Sequence, residues 1–249
     1  MKDIHSFVIL AYGESDDLEE CIKSIKKQSV KSNVLIATST KNDFIIDLAS
    51  EYSLGVMVNE EESSKPVDYN FCISSVNTKL VTIVHQNDLY DRNYAKEVIK
   101  CYKQNKDASL IFTDSYNIVI DKKVKSNKNL RINKLLCLPL KYSRLNQHKY
   151  FKRLALKYRK AICTSSVTFV KANLEDKLFP SNLKYNFDWA FFEELSVLSH
   201  RFVYIPLKLV GNRQDKKKEK NKTWIKEDIR LYKRFWPGKL IDYFYRKKQ

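Results

Sequence analysis

The chain has 249 residues, 43% of them apolar, and a formal net charge of +17, which fits one large domain or a domain with an appendage. No run of 18 apolar residues occurs and the amino terminus lacks a signal-peptide pattern, so we expect neither a transmembrane helix nor secretion. The five scattered cysteines form no CxxC pair, which predicts reduced core thiols in a cytoplasmic protein.

Short apolar runs and helical patterns alternate through residues 1–120. Leu18, Ile22 and Ile25 follow the N-cap candidate Ser15 at helical spacing and predict the first helix. The alternation predicts an α/β fold with a doubly wound, mostly parallel central sheet flanked by helices. Strands are predicted at 6–11, 33–38, 55–58, 80–84 and 108–113, and helices near 15–28, 43–52, 67–76 and 94–102.

The second half is less regular, and two amphipathic helices are predicted at its end. We divide the sequence into a domain of residues 1–212, with halves 1–120 and 121–212, and a basic helical tail of residues 213–249. The predicted elements are a basic loop with a short helix over 121–160, a strand at 162–170, a helix over 187–199, a strand pair near 202–210, a charged linker at 212–222, and helices near 224–235 and 239–246.

The positive charge is concentrated in two segments. Residues 1–120 hold 13 basic and 18 acidic side chains, whereas residues 121–160 hold 14 basic and one acidic, and residues 213–249 hold 14 basic and 5 acidic. Blocks of this kind predict a polyanionic partner surface, such as phospholipid, pyrophosphate or nucleic acid. A solvated Lys-rich surface without a partner is the alternative.

A polar segment, His85-Gln86-Asn87-Asp88, directly follows the predicted strand 80–84. Open α/β sheets bind ligands outside the carboxyl ends of their strands, so this segment is a candidate site. Neither GxGxxG nor GxxxxGK[ST] occurs in the chain, which disfavours dinucleotide-binding and P-loop enzymes.

Three segments together resemble the family 2 glycosyltransferases with the GT-A fold. Residues 6–25 are similar to the family's nucleotide-binding start, and residues 85–90 to its DxD region. The strand 162–170, followed by Phe187-Asp188-Trp189, resembles its acceptor-side strand and catalytic-base helix. The resemblance spans about residues 5–210. It implies an inverting glycosyltransferase that uses a nucleotide-diphosphate sugar, a UDP-sugar by default, in the synthesis of a cell-surface polysaccharide such as capsule or cell wall.

The same resemblance implies the residues that contact the donor. Tyr12 would stack on the base, with Ala11 permitting close approach, and Ser39 stands where many relatives carry an acid that binds uracil. Asp88 and Asn87 would hold a divalent metal, Mg²⁺ or Mn²⁺, against the diphosphate. Positive charge from the basic segment is the alternative to a metal. The implied donor-binding residues are Ala11, Tyr12, Glu14, Ser39, Gln86, Asn87 and Asp88.

Asp188 matches the general base of the family. It would take the proton of the acceptor hydroxyl while the anomeric carbon inverts, and a helix N-cap is the alternative role. The acceptor implied is a saccharide or a polyprenyl-linked saccharide. Aromatic and basic residues interleave in the tail, which predicts either packing on the domain or contact with an anionic membrane. The latter would hold a cytoplasmic protein on the inner face of the cell membrane.

Two other functions are weighed against the transferase. Aromatic and basic residues also interleave over 142–160, a pattern that suits nucleic-acid binding, but no RRM-, KH- or OB-like pattern is present and residues 1–120 are net acidic. A nucleic-acid partner is therefore disfavoured. A degenerate transferase that acts as a scaffold is the other alternative, because Asn87 and Ser39 replace acids of the family.

Overall fold

The computed structural model describes residues 4–119, 122–213 and 221–246, and these residues build one curled nine-stranded sheet with nine α-helices around it. The strands are β1 (His5–Leu10), β2 (Asn33–Thr38), β3 (Gly55–Val58), β4 (Leu80–His85), β5 (Leu89–Tyr90), β6 (Ala108–Val119), β7 (Lys122–Val124), β8 (Val167–Val170) and β9 (Arg201–Arg213). Their order is β3-β2-β1-β4-β8-β6-β9-β5, with β7 beside β6.

The first four strands in this order are parallel. β1 lies between β2 and β4, and Leu10 of β1 pairs with His85 of β4. All six residues of β1 are buried, as expected for a strand covered on both faces. Because β1 and β4 run in the same direction and end in register, the residues that follow them emerge side by side at one edge of the sheet.

Helices cover both faces of this half. Phe7 and Ile9 of β1 enter one apolar core, whereas Val8 and Leu10 enter the other, because successive side chains of a strand point to opposite faces. The helices of the first half are α1 (Asp17–Lys26), α2 (Asp43–Glu51), α3 (Lys65–Ser74) and α4 (Tyr94–Gln104). Those of the second half are α5 (Lys128–Cys137), α6 (Lys149–Lys157), α7 (Phe187–Ser196), α8 (Lys222–Tyr232) and α9 (Gly238–Arg246).

The second half of the sheet mixes strand directions. β8 is antiparallel to both β4 and β6, and β6 is parallel to β9. The predicted fold class, an α/β sheet of the GT-A type flanked by helices, is confirmed, and the parallel arrangement is strictest in the half that contains β1.

Three predicted strands have different limits. The strand predicted at 108–113 continues to Val119, because bulges near Asp114 bend β6 without ending it. The strand pair predicted at 202–210 is the single strand β9. The strand predicted at 162–170 begins only at Val167, because Ser166 hydrogen-bonds the carbonyl of Cys163 through both its N–H (2.9 Å) and its hydroxyl (2.7 Å) and closes a tight turn.

The basic segment 121–160 contains two helices instead of one. Asn127 caps α5 by accepting the N–H of Leu130 at 2.9 Å. Lys152 of α6 is buried and donates to the carbonyls of Leu198 (2.5 Å) and His200 (2.8 Å). Burial and then the charge of Lys149 lower the pKa of Lys152 to about 8. This segment is therefore packed on the sheet and is not only a solvated basic loop.

The first tail helix packs on the second half of the domain. The ring of Trp224 stacks on Tyr185 with centroids 4.9 Å apart, and Tyr232 meets Trp189 edge to face at 5.0 Å. Most of the predicted charged linker, 214–220, lies outside the described residues. Within the part that the structure describes, every helix is too short or too polar to cross a bilayer.

Candidate functional site

A cleft of ≈ 240 Å³ opens at the carboxyl edge of the parallel half. It lies where the chain leaves β1 and β4, at the position that the sequence predicted from the order of its strands. Its walls come from four places: the β1–α1 connection, the first turns of α1 and α3, and the end of β4. The lining residues are Leu10, Tyr12, Ser15, Asp17, Lys65, Tyr69, His85, Gln86 and Asn87.

Gln86 fixes the backbone at Tyr12. Its side-chain oxygen accepts the N–H of Tyr12 at 2.6 Å, and its side-chain nitrogen donates to the carbonyl of Tyr12 at 3.2 Å. These two hydrogen bonds resemble those of a neighbouring strand, and they connect the ends of β1 and β4 beyond the sheet. Gly13 follows with φ of +55°, a conformation that favours glycine, and turns the chain toward α1. Tyr12 is held with its ring against the cleft.

Asp68 of α3 organises one wall of the cleft, and the sequence analysis did not identify it. The carboxylate is buried and accepts hydrogen bonds from Tyr12 Oη (2.7 Å), Asn59 Nδ2 (2.8 Å), Ser63 Oγ (3.0 Å) and Ser39 Oγ (3.4 Å). Burial and then the Asp68 carboxylate raise the pKa of Tyr12 well above its usual range, so Tyr12 stays a hydrogen-bond donor. Ser39, predicted near the nucleobase, belongs to this network.

Tyr69 lies between the predicted donor and acceptor residues. Its hydroxyl contacts Nε2 of His85, and its ring meets Phe187, the residue before Asp188, edge to face at 5.1 Å. Burial, followed by the charges of Asp188 and Asp88, raises the pKa of Tyr69. Both carboxylates therefore act on one phenol at the floor of the cleft.

Asp88 is fully buried at the end of the β4 segment. One carboxyl oxygen accepts the side-chain N–H of Asn212 at 3.0 Å. Burial raises the pKa of Asp88 to about 7, although the Ser165 hydroxyl and Arg213 oppose the shift.

The residues present do not fit a tightly bound divalent metal. Asn87 directs its side-chain nitrogen at the carbonyl of Arg213, 3.4 Å away. The Arg213 guanidinium, in turn, pairs with Asp17 and, at 2.7 Å, with Glu20. Across the described ranges, no three Asp, Glu, His or Cys side chains come together as a metal-binding group. Asp88 and Asn87, predicted as ligands, are thus held by β9 and are not gathered into a cation site.

Asp188 opens α7 and is almost fully buried. Lys160 Nζ donates to one of its oxygens at 2.6 Å, and the Thr164 hydroxyl donates to the same oxygen. The N–H of Trp189 donates to the other oxygen at 2.7 Å. Burial alone would raise the pKa of Asp188, but the Lys160 charge and these hydrogen bonds outweigh it and lower the pKa. The carboxylate is ionised and can accept a proton.

The remaining predicted residues occupy different positions. Ala11 is completely buried and donates its N–H to the carbonyl of Ala37 at 3.0 Å, which continues the β1–β2 ladder. Glu14 is exposed on the β1–α1 connection and is not among the residues that line the cleft. Of the predicted donor-binding set, the structure brings Tyr12, Gln86 and Asn87 into one cleft.

Four important residues carried too weak a signal in the sequence. Asp68 and Tyr69 lie inside a helix and carry no motif, and Lys65 is one of many lysines. Arg213 stands at the start of the predicted linker. Their positions depend on contacts between elements far apart in the chain. An ionisable or phenolic residue on the apolar side of a predicted helix, such as Asp68 beside Cys72, is the one signal that pointed to burial.

A parallel α/β half that ends in a polar cleft, joined to a mixed half carrying an ionised carboxylate at a helix start, is the architecture of a GT-A glycosyltransferase. The chain belongs to glycosyl transferase family 2, because the model of that family matches residues 6–178, more than half of the sequence. No curated protein sequence matches the chain.

Solved structures show the same fold at low sequence identity. S. aureus TarS 1–349 in complex with UDP aligns with a TM-score of 0.67 and 14% identity, over 96% of this chain and 68% of that one. The complex of the same TarS segment with UDP-GlcNAc gives 0.64 and 15%, over 86% and 60%. The mannosyltransferase PcManGT from Pyrobaculum calidifontis, in complex with GDP-Man and Mn²⁺, gives 0.59 and 14%, over 84% and 56%. The chain spans about 60% of the length of S. aureus TarS 1–349.

Proposed function

We propose that the protein is an inverting glycosyltransferase that takes a sugar from a nucleotide-diphosphate sugar, by default a UDP-sugar. The observation that carries this proposal is the cleft at the ends of β1 and β4, where Gln86 and Asp68 hold Tyr12 rigidly against a polar hollow. A fixed aromatic ring beside hydrogen-bonding groups suits a nucleobase. Family membership supports the reaction class, and the fold neighbours with UDP, UDP-GlcNAc and GDP-Man support the donor class.

The leaving diphosphate needs positive charge in the cleft. Lys65 lines the cleft and is the first residue of α3, where the backbone N–H groups and the helix dipole also favour an anion. Arg213 lies at the same end of the sheet, beside Asn87 and Asp17. We assign the neutralisation of the diphosphate chiefly to Lys65, because Asp17 and Glu20 already pair with the Arg213 guanidinium. A metal held by Asp88 and Asn87, Mg²⁺ or Mn²⁺, would perform the same neutralisation, but the contacts of both residues disfavour it.

Asp188 is assigned as the general base. An acceptor hydroxyl would transfer its proton to Asp188 while its oxygen bonds to the anomeric carbon from the face opposite the diphosphate. The bond between that carbon and the diphosphate oxygen breaks, its electron pair leaves with the nucleotide, and the anomeric configuration inverts. Lys160 and Thr164 orient the carboxylate and keep it ionised before the reaction.

The acceptor is proposed to be a saccharide or a polyprenyl-linked saccharide used for a cell-surface polysaccharide. We further propose that α9, and not the whole tail, touches an anionic membrane. The aromatic residues of α8 pack on the domain, but Leu240 and Tyr243 of α9 are 41% and 55% exposed and lie three residues apart on one face. Exposed apolar and aromatic side chains beside a basic one, Lys239, suit an interfacial helix.

Turnover of a donor panel tests the proposed function. The full chain is incubated with UDP-glucose, UDP-GlcNAc, UDP-galactose and GDP-mannose, and the release of free nucleotide is measured without and with a crude polysaccharide acceptor. Release from at least one donor, stimulated by acceptor, is expected. If every donor stays intact while UDP still binds the protein, catalysis is refuted and a degenerate, scaffold-like transferase becomes the better interpretation.

A further inference from the structure

A second hollow lies in the second half of the sheet, and it shares no lining residue with the donor cleft. It measures ≈ 230 Å³ and is enclosed by β6, β9, α5 and the segment 161–163. This volume is close to the ≈ 240 Å³ of the donor cleft, so it can hold one part of a larger ligand, such as a single sugar ring.

The wall formed by residues 161–163 connects this hollow to the proposed base. Ala161 and Cys163 line the hollow, whereas Lys160 and Thr164, the residues on either side, both hydrogen-bond Asp188. Burial, and next the charge of Asp88, raises the pKa of Cys163, while the Ser115 hydroxyl in the same hollow opposes it. The segment 160–164 therefore lies between a ligand seated here and Asp188.

Two buried acceptor atoms in this hollow are unsatisfied. Within the part of the chain that the structure describes, Asp114 Oδ2 and Asn133 Oδ1 have no hydrogen-bond partner. Lys134 Nζ lies 3.8 Å from Asp114 Oδ2, beyond hydrogen-bonding distance. The other oxygen of Asp114 accepts the Tyr204 hydroxyl at 2.5 Å. Unsatisfied buried acceptors are costly, and the hydroxyl groups of a ligand would satisfy both.

The rim of the same hollow is strongly basic. Lys125, Arg131, Lys134 and Lys208 line it, against the single carboxylate Asp114. A neighbouring groove of ≈ 470 Å³ shares Lys125 and Lys208. It adds four further cations, Lys23, Lys27, Arg92 and Lys123, and two carboxylates, Glu20 and Asp91. The cations face solvent around a floor whose acceptor atoms can take hydrogen bonds from hydroxyl groups. A ligand that matches both features combines hydroxyl groups with negative charge.

We propose that this hollow is the acceptor subsite and that the acceptor is a saccharide bearing a phosphate group. Asp114 and Asn133 accept its sugar hydroxyls, while Arg131 and Lys134 bind the phosphate, Arg131 with the fork of N–H donors that suits phosphate oxygens. The adjoining basic groove accommodates further phosphates of a longer chain. The assignment of this hollow as an acceptor subsite rests on the proposed function, but the predicted binding can be measured without turnover.

The test is calorimetric titration of the full chain, saturated with UDP, with phosphate esters and their parent compounds. The probes are glucose 6-phosphate, N-acetylglucosamine 6-phosphate and glycerol 3-phosphate, each beside its parent, and inorganic phosphate. At least one ester is expected to bind about tenfold more tightly than both its parent and inorganic phosphate, since it alone makes both sets of contacts. Failure of all esters to bind, or equal binding of inorganic phosphate, would overturn the proposal.

Variants test separately what the floor and the rim of the hollow contribute to binding. Arg131→Ala with Lys134→Ala should remove the preference for the ester, whereas Arg144→Ala with Lys149→Ala, which deletes the same charge from exposed positions outside the hollow, should not. Asn133→Leu and Asp114→Asn should weaken ester and parent alike. An equal loss in the Arg144/Lys149 control, or unchanged affinity in the floor variants, contradicts the assignment.

Two further measurements distinguish the possible interpretations. UDP affinity, determined in every variant, is expected to stay at the wild-type value, which shows that the variants fold. A single-stranded RNA oligonucleotide that displaces the ester and binds more tightly would assign the groove to nucleic acid and reject the saccharide. If wild-type protein binds an ester but no nucleoside diphosphate, the proposed transferase function fails while the anion-saccharide site stands.

Discussion

At the scale of single residues, two buried side chains support the donor cleft. Asp68 ties Tyr12, Ser39, Asn59 and Ser63 together from beneath. Asp88, also buried, ties the end of β4 to β9 through Asn212. Buried carboxylates that accept several hydrogen bonds fix their partners in one arrangement, which pre-organises the surface above them.

Asp188→Asn should abolish most of the transfer without weakening nucleotide binding. The amide cannot take a proton from the acceptor, so nucleotide release should fall roughly 10²- to 10⁴-fold, the usual contribution of a general base. Stopped assays of nucleotide release with the preferred donor measure this, and calorimetry measures UDP affinity. Glu194→Gln, a substitution of an acid on the same helix, is the control and should retain activity. Wild-type release by Asp188→Asn would remove Asp188 from the mechanism.

Asp88 should make the protein less stable as the pH rises through neutrality. Its pKa is about 7 in the folded protein against 3.8 for an exposed aspartate, so between about pH 4 and pH 7 the folded chain holds a proton that the unfolded chain has released. The unfolding free energy should therefore decrease with pH across this window, by up to about 1.4 kcal/mol per unit from this group. Urea unfolding of wild type and Asp88→Asn measures it. The difference between the two should shrink toward acid pH, and parallel pH profiles would show that Asp88 has no raised pKa.

The predictability of the site also differs residue by residue. Tyr12, Gln86 and Asn87 were identifiable because each follows an apolar run whose strand character is local, and because parallel strands end at one edge. Asp68 was not, since its partners come from 5 to 56 positions away along the chain. The ion pair of Asp188 with Lys160 likewise depends on how α7 meets the segment after α6, which no local pattern encodes.

At the scale of elements, α8 clamps the start of α7. Glu227 accepts the backbone N–H groups of Lys184 (2.8 Å), Tyr185 (2.9 Å) and Asn186 (2.9 Å), and Asp228 accepts the side-chain N–H of Asn186 at 2.9 Å. These residues immediately precede Asp188. The tail is therefore part of the support for the proposed base, although its sequence pattern also suited a separate membrane-bound helix.

Glu227→Gln should lower both stability and turnover. The amide side chain keeps one acceptor oxygen where the carboxylate offers two, so at least one buried N–H loses its partner at a cost of about 1 to 3 kcal/mol of unfolding free energy. Displacement of α7 should reduce kcat while the KM for the donor changes little. Chemical denaturation and donor kinetics measure the two effects. Asp242→Asn, on exposed α9, should change neither, and wild-type stability of Glu227→Gln would contradict the clamp.

Replacing Leu240 and Tyr243 by Asp should release the protein from anionic membranes. The two side chains are exposed on α9, and two carboxylates in their place would be repelled by a negative surface. Co-sedimentation with phosphatidylglycerol vesicles, compared with neutral phosphatidylcholine vesicles, measures the effect. The matched control replaces the exposed Leu135 and Tyr150 by Asp. Failure of the unmodified chain to sediment with anionic vesicles, or equal sedimentation of both variants, would reject the contact.

Element limits were predictable where a strand or helix is locally complete, and not elsewhere. β1, β2, β3 and β4 lie within one residue or two of their predicted ranges, because each is a short apolar run between polar turns. β6 and β9 extend much further, since they pair with each other along their whole length and tertiary pairing continues the strands through polar residues. Asn127 and His148 begin two helices inside the basic segment, where charge had obscured the helical periodicity.

At the scale of the whole molecule, the two halves of the protein differ in net charge. The half that contains the donor cleft is net acidic along residues 1–120, whereas the strongly basic residues 121–160 border the hollow beside Asp188. A nucleotide-diphosphate sugar would therefore be drawn to a few specific cations, with Lys65 foremost, and an anionic acceptor to a broad basic surface.

Titration of UDP into the full chain in the presence of excess EDTA tests the central claim most directly. A cleft at the ends of β1 and β4 that neutralises the diphosphate with protein cations should bind UDP without a metal. Lys65→Ala should weaken binding about tenfold, because it removes a charged contact to the diphosphate, whereas Lys103→Ala on the distant α4 should not. Absence of UDP binding in EDTA, or equal affinity of wild type and Lys65→Ala, would contradict a cleft that neutralises the diphosphate with protein cations.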